Sequence, residues 1–205
     1  MMADKPSSAP PPPPKRQRLT RQERFAQLID VSWQLIRAEG TDALSLGRLA
    51  EAAGITKPTV YEHFGTRQGL LAALYQDFDV RQNRMIDEAI MASAPTLKDK
   101  ARVIASSYVT CALAEGREIP GVLAALSGSP ELARLRQQCL TDYLDKCKIA
   151  LAPFTGPGAL SIAALWAMLG AADSLSSIAL SGEITEQQAC DELYEVILAM
   201  VERSG

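Results

Sequence analysis

The sequence predicts an all-α protein with an N-terminal three-helix domain that contains a helix-turn-helix, followed by a larger C-terminal helical domain. Three observations predict this architecture. From residue 20 onward, apolar residues recur only with helical spacing, and no stretch sustains the two-residue alternation of a β-strand. Gly and Pro residues bound the helical stretches. Two short helical stretches flank Gly54-Ile55-Thr56, where the glycine permits a sharp turn.

Residues 1–18 are predicted to form a disordered tail that is rich in proline and basic residues. Five consecutive prolines, Pro10–Pro14, favour an extended polyproline II conformation without a packed core. A ligand for an SH3-like partner is an alternative interpretation of this segment. The rest of the chain is predicted to divide into the three-helix domain, residues 19–66, and the larger helical domain, residues 67–205.

Capping residues and glycines set the predicted bounds of the first four helices. Thr20 and Glu23 form a capping box that opens a helix, and Gly40 closes it. The next three helices have predicted N-caps. Ser45 caps the helix Leu46–Ala53, Thr56 caps a helix that ends at Phe64, and Thr66 caps a helix that runs to about Met91. Five further helices are predicted over Leu97–Glu115, Gly121–Leu126, Glu131–Ala152, Ala159–Leu180 and Glu186–Arg203.

Composition argues against a membrane protein and against most familiar enzymes. The 205 residues are 47% apolar and 22% charged, as in ordinary globular domains, and the longest near-continuous apolar run, Ile162–Ala172, is too short to span a bilayer. No export signal is recognised. A single histidine excludes two-histidine zinc sites, and no phosphate-binding or nucleophile-elbow motif occurs. The four cysteines lack C-x-x-C spacing. We expect a cytoplasmic protein that is not an enzyme and holds no cofactor or metal.

Charge is distributed unevenly along the chain. Residues 1–67 carry 10 Lys and Arg against 7 Asp and Glu, a net charge of +3, whereas residues 68–205 carry 11 against 17, a net charge of −6. Basic residues crowd the segment from Lys15 to Arg24, where Glu23 is the only acid. This asymmetry suggests a polyanionic partner at the N-terminal end, and a solvated charged tail is the alternative.

The third predicted helix has the pattern of a DNA recognition helix. If Val60 and Phe64 point inward, Pro58, Thr59 and Glu62 point outward, with Tyr61 and His63 on the flanks and Lys57 on the first turn. A recognition helix presents its N-terminal residues to base edges in the major groove. Lys57 could donate to guanine, Thr59 offers its hydroxyl or methyl group, and Glu62 could accept from cytosine. Thr56, Tyr61, His63 and the Lys57 charge could serve phosphates.

Structural interpretations of the same residues stay open at this stage. Thr56 is a predicted N-cap whatever else it does, Tyr61 could cover the core, and His63 could pack at the helix end. Glu62 would repel phosphate unless it meets a donor. Pro58 disfavours helical geometry at Lys57, which is compatible with a helix that begins at Pro58.

Residues 41–71, TDALSLGRLAEAAGITKPTVYEHFGTRQGLL, resemble the N-terminal signature of the TetR family of bacterial transcriptional regulators. The family pattern around the third helix is Ser/Thr-Lys-Gly-Thr-hydrophobic-Tyr-x-His/Tyr-Phe, followed by a small residue, Ser/Thr-Lys and an apolar pair. Pro58 departs from the usual small residue, and Arg67 replaces the usual lysine. The resemblance implies a DNA-binding surface that includes Pro58. The residues of this surface are Ser45, Thr56, Lys57, Pro58, Thr59, Tyr61, His63 and Arg67.

The resemblance also implies that residues 67–205 bind a ligand and form a dimer. Ala159–Leu180 is apolar on nearly every side, and an apolar stripe runs along the last helix, so the two helices could form a four-helix interface with a second subunit. Ordinary monomer core is the alternative. The residues predicted at the dimer interface are Trp166, Leu169, Leu193, Ile197 and Met200.

The resemblance further implies an effector pocket among the middle helices. Candidate lining residues are Tyr75, Phe78, Tyr108, Cys111, Tyr143 and Trp166, and core packing is the alternative for each. No charge cluster names the effector, so an apolar or amphiphilic small molecule is the default expectation.

These observations predict a homodimeric, effector-responsive regulator, more specifically a repressor that an effector releases from a palindromic operator in double-stranded DNA. Effector binding would shift the long helix Arg67–Met91, which joins both domains. One alternative is an activator of the same fold. Others are a helical enzyme or ligand-binding protein without sequence-specific DNA binding, and an interaction module that binds DNA only through its basic arm.

Overall fold

The computed structural model describes residues 19–114, 118–126 and 128–204. Within these ranges the chain forms nine α-helices and no strand. The predicted tail, residues 1–18, lies outside the described residues. The helices are α1 (Arg21–Glu39), α2 (Leu46–Ala53), α3 (Lys57–Phe64), α4 (Arg67–Ala92), α5 (Leu97–Ala114), α6 (Ile119–Leu126), α7 (Pro130–Leu151), α8 (Ile162–Ser181) and α9 (Glu186–Glu202).

The predicted helices are all present, and most bounds agree within a few residues. Two short 3₁₀ turns, Thr41–Ala43 and Ala152–Phe154, were not anticipated from the sequence. The first follows α1 directly after Gly40, and the second extends α7 by one further turn. The predicted capping box of α1 is confirmed, because the Glu23 amide donates to Thr20 Oγ1 (3.2 Å) and the Thr20 amide donates to Glu23 Oε2 (2.7 Å).

The predicted N-cap positions of α2, α3 and α4 are confirmed, but Thr56 at the start of α3 makes no side-chain capping hydrogen bond. Ser45 Oγ accepts from the Arg48 amide (3.1 Å), and Thr66 Oγ1 accepts from the Gly69 amide (3.0 Å). Thr56 occupies the N-cap position of α3, yet its hydroxyl is 2.9 Å from the Thr59 hydroxyl and caps nothing. The caps of α2 and α4 use the amide of the third helical residue, whereas in α3 that residue, Thr59, contacts Thr56 through its hydroxyl instead.

Two apolar cores hold the helices together. The first core joins α1–α3 and the first turns of α4 to buried residues of α6 and α7, so it continues past residue 66. The second core is formed by α5, α7, α8 and α9. Because α4 contributes Leu70, Leu71, Leu74 and Tyr75 to the first core, its N-terminal half is held firmly against the helix-turn-helix.

The apolar stripe of α9 belongs to the second core and not to the surface. The structure buries four of the five residues that were predicted at a dimer interface, so that prediction is wrong for them. Helix α9 lies against α5 and α8, and its stripe faces those helices within the same chain. The four residues are 0–3% exposed: Leu169, Leu193, Ile197 and Met200. Trp166 is half-buried and packs against the same core.

Helix α8 nevertheless keeps one face uncovered. Ala163, Ala167, Gly170 and Ser174 are exposed and follow one another at helical spacing, and Ile162 is 71% exposed. In the part of the chain that the structure describes, α8 is also the one helix whose length and apolarity would allow it to cross a membrane. Core helices of soluble proteins meet the same criterion. The face of small residues is an available surface for close approach of another helix.

Candidate DNA-binding surface and interior cavity

Helix α3 presents the face that its sequence predicts. Val60 is fully buried and Phe64 is 7% exposed, so these two side chains anchor the helix on the first core. Lys57, Pro58 and Glu62 are exposed, whereas Thr59 and His63 are half-buried. Tyr61 is 53% exposed, which contradicts the alternative that it covers the core. The helix begins at Lys57, so the alternative start at Pro58 is also wrong.

The turn between α2 and α3 fixes the approach of the two helices. Gly54 adopts the left-handed conformation (φ 64°, ψ 36°), and the Ile55 amide donates to the Ala50 carbonyl (3.0 Å). Lys57 lies across the N-terminus of α2, because a Cβ added at Gly47 would be 3.6 Å from Lys57 Cε. Ser45 and Lys57 are therefore neighbours on one surface, although they belong to different helices.

The N-terminus of α1 extends this surface beside α3. A groove between the two helices is lined by Leu19, Thr20, Arg21, Arg24, Thr59, Glu62 and His63. Arg21 and Arg24 add positive charge next to Thr59. The sequence predicts a basic run at these arginines but does not show that they lie beside α3. A polyanion that reached α3 would meet these guanidinium groups at the same time.

His63 sits in an aromatic cluster at the inner edge of the groove. Its ring centroid is 6.1 Å from that of Phe25 and 6.1 Å from that of Phe64. Burial lowers the pKa of His63, and the charge of Arg21 lowers it further. The imidazole is therefore neutral at neutral pH and can offer one N–H donor at the edge of α3.

Two of the predicted DNA contacts also have structural partners. The Ser45 hydroxyl caps α2. The Arg67 guanidinium donates from Nε to the Leu44 carbonyl (2.8 Å) and from an Nη atom to the Thr41 carbonyl (2.8 Å). Arg67 thus joins the first turn of α4 to the segment between α1 and α2.

Comparisons with known proteins agree with this geometry. The sequence model of "Bacterial regulatory proteins, tetR family" matches residues 28–74, which run from α1 into α4. The HTH-type transcriptional regulator AcrR of Shigella flexneri is 33% identical over 55 residues. That match covers 27% of this chain and only 26% of the relative. Residues 28–74, which the family model matches, include the turn at Gly54 and the exposed face of α3.

Residues 28–74 are therefore similar to the tetR family of bacterial regulatory proteins, and this match covers less than a quarter of the sequence. Outside the N-terminal domain the likeness is one of fold. A candidate transcriptional regulator from Pseudomonas aeruginosa PAO1 has a TM-score of 0.76 at 15% identity and covers 92% of this chain and 97% of its own. A candidate TetR-family regulator from Rhodococcus sp. has a TM-score of 0.72 at 19% identity and covers 87% of this chain and 99% of its own.

The larger helical domain contains a partly open cavity of about 350 Å³ between α4, α5, α6, α7 and α8. The structure places five of the six predicted lining residues at its wall: Tyr75, Phe78, Tyr108, Cys111 and Tyr143. Trp166 does not line the cavity, which corrects that prediction. Its ring packs against the second core near the beginning of α8, whereas the residues of α8 that line the cavity begin at Asp173.

Polar groups that sequence reasoning missed lie in the same wall. The Tyr108 hydroxyl donates to the Asp173 carboxylate, and Asp79 and Asn83 line the cavity from α4. Burial raises the pKa of Asp79 and raises the pKa of the neighbouring Cys139 thiol to about 12. The helical spacing of α4 could have predicted these polar residues from Tyr75. The residues that share its face of the helix are Phe78, Asp79, Gln82, Asn83 and Ile86.

Proposed function

We propose that this protein is a homodimeric transcriptional repressor that acts in the cytoplasm and is released from a palindromic operator by a small-molecule effector. The observation that carries the proposal is the exposed face of α3, where Lys57, Pro58, Thr59 and Glu62 stand outward over a buried anchor of Val60 and Phe64. A short helix held in this way fits the major groove, which admits a single α-helix.

The residues around α3 divide by what they can reach. Lys57 and Thr59 lie on the first turn and are assigned to base edges, and Glu62 is assigned to a cytosine amino group. Phosphate contacts are assigned to the surrounding donors, which are Ser45, Thr56, Tyr61 and His63, together with Arg21 and Arg24 of α1. Arg67 is assigned a structural role because its guanidinium is already bound to two backbone carbonyls.

A second copy of the chain is the proposed partner of α8. Its exposed small residues, Ala163, Ala167, Gly170 and Ser174, would let another α8 approach closely, and a two-fold axis would make the same face serve both copies. The interface would then be centred on α8 rather than on the buried stripe of α9. A dimer would place two α3 helices about 34–36 Å apart on successive major grooves.

Helix α4 is the proposed route between ligand and DNA. It begins at Arg67, beside the end of α3, and it lines the cavity from Tyr75 to Ile86. A ligand that favours one position of α4 would therefore change the orientation of α3 and the affinity for the operator.

Selection of bound duplexes from a random DNA pool at near-physiological salt tests the proposal. Wild type, Thr59→Ala and Thr141→Ala are compared, because Thr141 is exposed on α7 and provides the same chemical change away from the proposed surface. We expect a near-palindromic site for wild type and for Thr141→Ala. Thr59→Ala should lose about 1–3 kcal/mol of preference at the base pair that it contacts.

Two results would contradict the proposal. Weak, salt-sensitive binding with no enriched sequence in any of the three proteins would indicate attraction to phosphate alone. If wild type and Thr59→Ala enrich the same site equally strongly, Thr59 of α3 does not contribute to sequence recognition. If DNA binding is absent and the cavity binds a ligand tightly, a ligand-binding protein without specific DNA binding becomes the better description.

A further inference from the structure

The cavity wall formed by α4 carries an unusual pair of hydrogen-bond acceptors in apolar surroundings. We propose that the cavity binds a hydrophobic amine, whose ammonium group donates to the Asp79 carboxylate and to Asn83 Oδ1 while its apolar body lies among the aromatic rings. The regulatory consequence rests on the proposed function, since a ligand held by α4 would act on α3. The binding chemistry itself can be tested without DNA.

The charged groups of the wall favour a cation. Asp79 and Asp173 line the cavity together with a single guanidinium, that of Arg136. Asp173 and Arg136 are both exposed, so the half-buried Asp79 is the charged group of the wall that water screens least. Asp173 already accepts a hydrogen bond from the Tyr108 hydroxyl. Charge therefore selects against a carboxylate ligand in the interior and in favour of an ammonium group.

Asp79 is the carboxylate that lacks a cation. Among the described residues it forms no ion pair, and the amine of Lys146 is held by Asp87 at 2.6 Å. Burial raises the pKa of Asp79, whereas hydrogen bonds with Cys139 and Asn83 lower it. A half-buried carboxylate in this setting gains more from an incoming cation than an exposed one would, because water screens the interaction less.

Two further polar atoms of the wall have no partner among the described residues. Asn83 Nδ2 donates to the Asp79 backbone carbonyl (2.9 Å), which leaves Asn83 Oδ1 buried and unpaired. The hydroxyl of Ser176, a residue 3% exposed, is also buried and unpaired. Asn83 Oδ1 can only accept, so a ligand must bring a donor to satisfy it. An ammonium group has three N–H donors and can serve Asp79 and Asn83 together.

The remaining wall fits an apolar, aromatic body. The rings of Tyr75 and Phe78 have centroids 6.2 Å apart, and those of Tyr108 and Tyr143 are 5.5 Å apart. Such rings offer flat apolar contacts and attract a nearby cation through their electron-rich faces. The volume of about 350 Å³ is sufficient for a small drug-sized molecule.

Calorimetric titration of the full chain with three matched probes tests the inference. Naphthylethylamine, naphthylethanol and naphthylacetate share one apolar body and differ in having a cationic, a neutral or an anionic head. At neutral pH we expect wild type to bind the amine about tenfold more tightly than the alcohol, as a charge-assisted hydrogen bond predicts, and the carboxylate most weakly. This order in the wild-type protein does not depend on any variant.

Two isosteric variants locate the preference. Asp79→Asn should bring the amine and the alcohol to within about threefold of each other, while the affinity for the alcohol is retained and reports an intact cavity. Asp145→Asn removes the same charge from an exposed position of α7 that does not line the cavity, and it should keep the tenfold preference. An equal loss in both variants would show that the general negative field, and not Asp79, selects the amine.

Other outcomes overturn the inference. If naphthylacetate binds best and Arg136→Gln abolishes its binding, the cavity is a site for acids that is centred on Arg136. If none of the three probes binds, the amine assignment fails. The failure is separable from that of the proposed function, because the duplex selection uses no ligand: a protein that selects an operator and ignores amines loses only this inference.

Discussion

Gly121 of α6 lies so close to Thr41, between α1 and α2, that no side chain fits between them. A Cβ added at Gly121 would be 2.4 Å from Thr41 Oγ1 and 3.1 Å from Thr41 Cβ. Ile119, Pro120 and Leu123 of the same helix line the cavity. Helix α6 therefore contacts both the ligand cavity and the segment that precedes the helix-turn-helix. Helix α6 also packs against α4, so we infer that the two helices together connect the two sites.

The change Gly121→Ala tests this close contact. Forcing a methyl group against Thr41 should lower the free energy of unfolding by about 1–3 kcal/mol, as overpacking does. At an open helical position, replacing glycine by alanine raises stability by up to about 1 kcal/mol. The change expected for Gly121→Ala therefore has the opposite sign. Denaturant titration measures the stability, and operator titration with and without ligand measures the coupling.

Gly128→Ala is the matched control, because a Cβ added at Gly128 meets nothing within 4 Å. We expect its stability and operator affinity to stay close to those of wild type. If Gly121→Ala is as stable as Gly128→Ala and responds equally to ligand, α6 and Thr41 are not held in this contact in solution.

A structural role of Arg67 and a phosphate contact by Arg67 predict different effects of its substitution. Arg67→Gln removes two hydrogen bonds to the Thr41 and Leu44 carbonyls, and we expect a loss of about 1–3 kcal/mol in unfolding free energy. The salt dependence of operator binding should keep its slope. Lys57→Gln should instead reduce that slope by about one, as the loss of a cation near phosphate predicts. A reduced slope with unchanged stability in Arg67→Gln would restore Arg67 as a DNA contact.

Ser45 and Thr56 occupy equivalent N-cap positions and should respond differently to alanine. Ser45→Ala removes the acceptor for the Arg48 amide and should cost about 1 kcal/mol of stability. Thr56→Ala removes a hydroxyl that caps nothing and should be nearly neutral in thermal denaturation. Both variants should weaken operator binding if both hydroxyls contact phosphate. Equal destabilisation by the two changes would contradict the difference in capping.

Local rules predicted the helices well because their signals lie within a few residues of each end. The capping box at Thr20 and Glu23 needs only a spacing of three, and Gly54 marks its turn by itself. The Thr56 hydroxyl makes no capping bond because it pairs with the Thr59 hydroxyl, a side-chain contact that the local rule does not consider.

The errors in the larger domain concern tertiary contacts. The stripe on α9 shows that one face is covered, but the sequence does not show whether α5 of the same chain or a second copy covers it. Asp79 and Asn83 lie on the same face of α4 as Tyr75, and the sequence shows this spacing. Only the packing of α7 and α8 around α4 shows that this face lines the cavity.

The uncovered face of α8 predicts that one charge will separate the proposed dimer. Ala167→Glu places a carboxylate on that face, and we expect sedimentation to show a monomer with strongly reduced operator affinity. Ala133→Glu introduces the same side chain at an exposed position of α7 and should remain dimeric. Helical content should be unchanged in both proteins, since each position is exposed. A dimeric Ala167→Glu protein would place the interface elsewhere.

Asp79 should destabilise the ligand-free protein at neutral pH. Because burial raises its pKa in the folded state, its stabilising contribution is complete below the unfolded pKa of about 3.9 and is lost as pH rises through the folded value. Asp79→Asn cannot ionise, so its thermal midpoint should exceed that of wild type near neutral pH, and the two midpoints should converge toward about pH 4.

The exposed Asp145→Asn variant controls for the loss of one negative charge, and its midpoint should not show the same growing difference with pH. Naphthylethylamine should raise the midpoint of wild type more than that of Asp79→Asn, since only the wild-type carboxylate gains a charged partner. A wild-type protein that is more stable than Asp79→Asn at neutral pH without ligand would mean that its partners already compensate the buried charge. In that case the carboxylate would be part of the fold rather than a site held ready for a cation.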